Sequence, residues 1–194
     1  MTNKRFLGLL LCFVCGLLVS SFAFPLTGAA QQEKLRLDHL HQLANRATEV
    51  VEVSLDQTAL KALTKLTALS EGSNRDREKL SGLTSRLRGV YVRGYEFERE
   101  GEYSPNDIEA VRLQLRAPGW TRIVQVGGRN NSYDEIYLKQ GNDEVDAYAV
   151  ISTAPKNVCV INVIGPMRVD DIRLLDREYG ISNCGRHGNR RKSR

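Results

Sequence analysis

Histidine is almost missing from this chain: only three of 194 residues are His, and none lies between residues 45 and 180. That scarcity removes the Ser/His or Cys/His nucleophile pair and the His-rich metal site from the body of the chain. His39 and His41 stand two residues apart, a spacing that sends them to different sides of a helix, and His187 lies near the C-terminus. The sequence also lacks a G-x-S-x-G elbow, a P-loop and a G-x-G-x-x-G turn. It has a single hydrophobic stretch of membrane length, so a polytopic membrane protein is excluded. The remaining composition, 41% apolar and 26% charged, is that of a globular chain rather than a disordered or disulfide-framework one.

The hydrophobic stretch comes first. Lys4 and Arg5 precede an apolar run from Phe6 to Phe24, followed by Pro25 and the small residues Gly28, Ala29 and Ala30. This is the layout of a secretory signal peptide, with cleavage expected after Ala30 and a mature start at Gln31. Cleavage after Ala23 and retention as an anchor are the other readings. Cys12 and Cys15 follow bulky residues, which argues against lipid attachment.

Cleavage leaves Cys159 and Cys184. Cys159 lies in the apolar run Val158-Cys159-Val160-Ile161. It is expected to act as a small buried hydrophobe. A disulfide to Cys184 stays open, because an exported chain matures in an oxidising compartment.

The formal charge of +5 suggests an anionic partner until it is divided along the chain. Two positive charges belong to the signal segment, and Arg186, Arg190, Arg191, Lys192 and Arg194 belong to an acid-free tail. The stretch 31–180 holds 21 basic against 23 acidic residues, a net −2. No nucleic-acid partner is expected of such a domain. The tail reads as disordered, with an anionic surface as its candidate partner.

The pattern gives three regions: a signal peptide at 1–30, one domain at 31–181 and the basic tail at 182–194. Apolar spacing predicts helices over 33–46, 57–69, 73–88, 105–117 and 169–179. Asp56 and Ser104 sit at N-cap positions, with Pro105 and Asp107 in the first turn after Ser104. Strands are predicted over 49–55 and 90–98. Four more, Trp120–Val126, Asp134–Gln140, Val145–Thr153 and Asn157–Ile164, are joined by short turn-rich links that imply an antiparallel meander. The fold class is α+β, a largely antiparallel sheet of about five to six strands with helices packed on one face.

On that reading Tyr91, Arg93, Tyr95, Phe97, Tyr133, Tyr137 and Tyr148 collect on the open face of the sheet, opposite the helices. Tyr and Arg are enriched at interfaces, so this face is the candidate binding surface, for an envelope protein or a second copy. Cross-strand pairing is the plainer explanation of the same pattern. Among the acids, Glu96 and Glu98 share a strand face near Arg93 and are the candidates for acid–base chemistry in a small enzyme. Asp143, Glu144 and Asp146 read as a solvated turn. No cofactor, metal or catalytic residue is expected.

Several segments resemble a family of exported bacterial proteins, domain of unknown function 4252. They are Leu37-Asp38-His39-Leu40, Val50-Val51-Glu52-Val53-Ser54-Leu55-Asp56, Leu87-Arg88-Gly89-Val90-Tyr91-Val92-Arg93-Gly94-Tyr95-Glu96-Phe97, Pro118-Gly119-Trp120-Thr121-Arg122-Ile123-Val124 and Val163-Ile164-Gly165-Pro166. The likeness covers about 33–180. It implies a compact domain exported to a bacterial cell envelope, and it carries over no catalytic residue.

Overall fold

The computed structural model describes residues 33–67, 74–128, 130–141, 144–168, 170–172 and 174. All of them belong to the second of two compact units, Gln32–Arg194. The signal segment, the basic tail with Cys184, and most of the last expected helix lie outside the described residues.

Six strands form one sheet: β1 (Glu49–Asp56), β2 (Gly89–Glu96), β3 (Trp120–Gly127), β4 (Tyr133–Gln140), β5 (Val145–Ala154) and β6 (Asn157–Met167). Their order across the sheet is β1-β2-β6-β5-β4-β3, and every neighbouring pair is antiparallel. This is the expected α+β class and the expected meander. The helices are α1 (His41–Ala44, after a 3-10 turn at Asp38–Leu40), α2 (Gln57–Thr67), α3 (Asn74–Arg86) and α4 (Pro105–Gln114).

Local chemistry starts two of these helices as the sequence predicts. The Asp56 carboxylate accepts the Ala59 N–H at 2.8 Å and opens α2. The Asp107 carboxylate accepts the Ser104 N–H at 2.8 Å and opens α4 behind Pro105. Crossing from β2 to the far edge at β3 spans four strand spacings, about 19 Å. The ten residues of α4 supply about 15 Å of that path.

The helices divide between both faces of the sheet, which differs from the one-sided packing expected. The reason is the alternation within β5 and β6. Ala147, Ala149, Ile151, Val158 and Val160 pack with Leu40 and Leu43 near α1 and with Ile108 and Val111 of α4. Tyr148, Val150, Cys159, Ile161 and Val163 pack instead with Leu60 of α2 and with Leu83 and Leu87 at the end of α3. Central strands buried on both sides read as continuous apolar runs, as Val158–Ile164 does.

The segment expected as a helix over 33–46 is helical only over 38–44 and begins as an extended strap. Residues 33–37 carry no helix, and Leu35 and Leu37 are buried at 3% and 4% exposure. The face beneath the strap and α4 is called here the strap face, and the opposite one the helix-pair face. On the helix-pair side Gly165 has φ +135°, and a Cβ there would stand 2.7 Å from the Leu87 Cα. Only glycine lets β6 pass the end of α3 so closely.

Candidate functional site

The Tyr/Arg face was expected to be open, and the geometry corrects this. The register aligns Ser54, Tyr91, Asn162, Ala149, Tyr137 and Arg122 in one row across the strap face. Arg93, Val160, Ile151 and Glu135 form the next row. Small Ala147 and Ala149 in mid-sheet leave room for the strap to lie down. Tyr95, Phe97, Tyr137 and Arg93 are buried beneath this layer. Tyr148 belongs to the helix-pair face, because it aligns with Leu138 and Val163. Tyr91 is half-buried under the Lys34 ammonium, 4.4 Å from its ring centre. Tyr133 remains exposed at 40%.

Two polar clusters join the sheet to this layer, one at the exposed edge at Glu52 and one buried at Glu135. The first surrounds Glu52 of β1. The Tyr95 hydroxyl donates to Glu52 Oε1 at 2.7 Å, and His41 Nδ1 stands 2.8 Å from the same oxygen. Arg93 spends its two terminal nitrogens elsewhere. Nη1 donates to the Val53 and Val92 carbonyls and Nη2 to Ser54 Oγ. Its Nε has no hydrogen-bond partner and stands 3.9 Å from Glu52 Oε1. Burial pushes the Glu52 carboxyl up, but Tyr95, His41 and Arg93 together hold it below the ordinary carboxylate value. Burial and then the Glu52 carboxylate push the Tyr95 hydroxyl far above its ordinary value.

The second cluster surrounds Glu135 of β4, which is 4% exposed. Arg112 of α4 donates through Nε to Glu135 Oε1 at 3.0 Å, and the Tyr137 hydroxyl donates to Oε2 at 2.7 Å. Burial and then this carboxylate raise Tyr137. Each cluster ties a covering helix to a sheet carboxylate that also takes a tyrosine hydroxyl, through His41 of α1 in the first and Arg112 of α4 in the second. The Arg112–Glu135 pair is costly to break but adds little over a well-packed apolar one.

The strap is held along its length. Leu35 N–H donates to Asn162 Oδ1 at 3.0 Å, on a fully buried Asn162. Arg36 and Gln114 exchange two hydrogen bonds, at 2.7 and 3.1 Å. Glu33 pairs with Arg88. His39 and Gln42 both reach Asp107, at its carbonyl and its carboxylate.

Chemically, the Glu52 oxygen orients the His41 ring through Nδ1, and the side chain is half-exposed. This pairing is the part of the site that sequence reasoning missed. The histidines were set aside for their i, i+2 spacing, although Glu52 stands with Val50 and Ser54 on the strap face of β1. A β1–β2 register placing Glu52 opposite Arg93 would have flagged it. The acids proposed from the sequence take other places. Glu96 pairs across the sheet with Glu49 and Asn157, and Glu98 is exposed. Among the described residues, no three His, Cys, Asp or Glu side chains gather as a metal site.

Cys159 is 1% exposed, as expected of a buried hydrophobe, but it is also disulfide-bonded. The other three cysteines lie outside the described residues. So do Arg186, Arg190, Arg191, Lys192 and Arg194. Among the described residues no helix is long and apolar enough to cross a membrane.

Residues 45–175 match the model of a protein family described as "Domain of unknown function (DUF4252)". No curated protein and no solved structure matches the chain. The match covers more than half of the sequence, and the chain belongs to this family.

Proposed function

We propose that this chain is an exported, non-catalytic interaction module of the cell envelope that binds through the edges of its sheet. The observation that carries this reading is where the large apolar side chains left exposed lie. Among the described residues, Val50 and Val51 are on edge strand β1, Ile123 and Val126 on edge strand β3, and Tyr133 starts the neighbouring β4; the one other, Leu113, is on α4. On the strap face Tyr95 is spent on Glu52, Arg93 on the Val53 and Val92 carbonyls, and Arg112 of α4 on Glu135. Unpaired edges bordered by apolar residues favour strand addition.

Export is supported by the N-terminal sequence pattern and by the disulfide at Cys159, a bond that persists in oxidising compartments. Two measurements test the reading together. Mass spectrometry of the envelope-fraction protein is expected to show a start at Gln31. A photo-crosslinking residue at Val51 or Val126 is expected to trap a polypeptide in intact cells, whereas one at exposed Lys61 is not. A cytosolic full-length chain, or equal trapping at all three positions, overturns the proposal.

The Glu52–His41 pair favours a second reading, a small envelope enzyme with His41 as proton carrier. That reading needs turnover of a model ester or phosphate substrate that His41→Ala abolishes while leaving the melting temperature in place.

A further inference from the structure

The two edges of the sheet are built differently, and the difference selects a partner. In β3 the register slips between Arg122 and Val124, leaving Ile123 as the extra residue of a bulge. A bulge twists an edge away from further pairing. β1 has no such device. Its eight residues pair with β2 without interruption from Glu49↔Glu96 to Asp56↔Gly89, and they include no Pro, Lys or Gly. Among the described residues no strand lies beyond it. Val50 and Val51 are exposed at 42% and 41%.

The charge pattern along this edge narrows the occupant. Strands paired antiparallel about a twofold axis place residues of equal parity opposite each other, so the axis must pass through one residue. Through Glu52, the two Glu52 carboxylates would meet. Through Ser54, Glu52 would face Asp56. Axes at Val50, Val51 or Leu55 keep the acids apart but pair a shorter stretch of the strand. Through Val53, Val53 faces itself, Val51 faces Leu55, Glu52 faces Ser54 and Val50 faces Asp56, so no acid opposes an acid. Directly opposed like charges destabilise a strand pair, whereas apolar β-branched pairs stabilise it. This register also sets Val51, Val53 and Leu55 of both copies in one apolar strip on the helix-pair face.

We propose that β1 is a self-recognition edge. Two copies pair antiparallel through it about an axis at Val53, joining two six-stranded sheets into one of twelve strands. This names the partner for one edge of the interaction module proposed above and rests on that reading.

The test is the mass in solution of the mature full-length chain, by light scattering across a concentration series. The wild type is expected to show twice the chain mass, Val51→Lys the single-chain mass, and Val126→Lys on the bulged edge the doubled mass. Ser54→Glu sets an acid opposite the partner's Glu52 twice per dimer and is expected to weaken association about tenfold. Its own copy keeps Arg93 beside the new carboxylate, so the fold is retained. Hydrogen exchange is expected to show β1 amides gaining protection as wild-type concentration rises. A wild type that stays monomeric, a Val51→Lys variant that stays dimeric, or dissociation by Val126→Lys alone overturns the proposal. A monomeric wild type that still crosslinks through Val51 to a different envelope protein overturns self-pairing and leaves the module reading standing.

Discussion

The two faces of the sheet solve the same covering problem with different chemistry. On the helix-pair face the described packing is almost wholly apolar, from Leu60, Leu83 and Leu87 to Cys159, Ile161 and Val163. Its polar element is a pair of hydroxyls, Thr64 and Thr84, 2.8 Å apart. On the strap face the covering elements are pinned by Glu52, Glu135 and Asn162, which hold His41 of α1, Arg112 of α4 and Leu35 of the strap. Apolar contact is non-directional, so a helix pair can settle onto a smooth face. An extended strap has no helix of its own to satisfy its backbone, and specific acceptors must do so. The difference teaches that polar groups sit where position has to be dictated, and apolar ones where area is enough.

Substitutions can break that contrast, beginning with the largest effect. Leu83→Ala removes a fully buried side chain from the helix-pair face, and chemical denaturation is expected to show a loss of about 4 kcal/mol. Gly165→Ala is expected to cost on the order of 3 kcal/mol, because the new Cβ meets the Leu87 backbone at an unfavourable φ. On the strap face, Glu135→Gln leaves Arg112 with only its looser 3.9 Å pairing to Glu109 and is expected to cost about 2 kcal/mol. The double change Arg112→Met with Glu135→Leu is expected to recover most of that loss. If the double variant is as unstable as the single, the ion pair supplies net stability and the contrast between the faces fails.

The smallest effect is a pH dependence belonging to the strap face alone. The Tyr95 proton is held more tightly in the fold than in the unfolded chain. Its contribution is therefore fully present below the ordinary tyrosine value, about pH 10, and lost as pH rises beyond it. Glu52, held below the ordinary carboxylate value, contributes above that value and loses its contribution as pH falls through its folded one. Tyr95→Phe is expected to cost about 1 kcal/mol at neutral pH and to reduce the alkaline fall in melting temperature, of which Tyr137 keeps a share. A Leu83→Ala variant is expected to keep the wild-type alkaline profile.

The order of elements, the meander and the caps at Asp56 and Ser104 were legible in the sequence, because turn chemistry and strand alternation are local signals. The sidedness of the strands was not. Periodicity puts Val90 and Val92 on one face and Ala147, Ala149 and Ile151 on one face, but it does not say whether the two sets coincide. They do not: Val92 aligns with Ile161 and Val150, whereas Arg93 aligns with Val160 and Ile151. That single ambiguity turned a covered Tyr/Arg layer into an apparent open surface. The His41–Glu52 contact was equally hidden, since it joins a short helix to a strand through a register that only the pairing of β1 with β2 defines.

The strap has a consequence for the order of events during biogenesis. Its hydrogen bond from Leu35 ends on Asn162, 127 residues later in the chain. The first segment of the domain to be synthesised therefore waits for nearly the last before it can dock. Until β6 is made, β2 also lacks its inner neighbour, because Gly89–Glu96 pairs with Asn157–Ile164. Contacts so distant in sequence carry the largest loop-closure cost and form late. A nascent chain of this design stays unclosed until β6 is available.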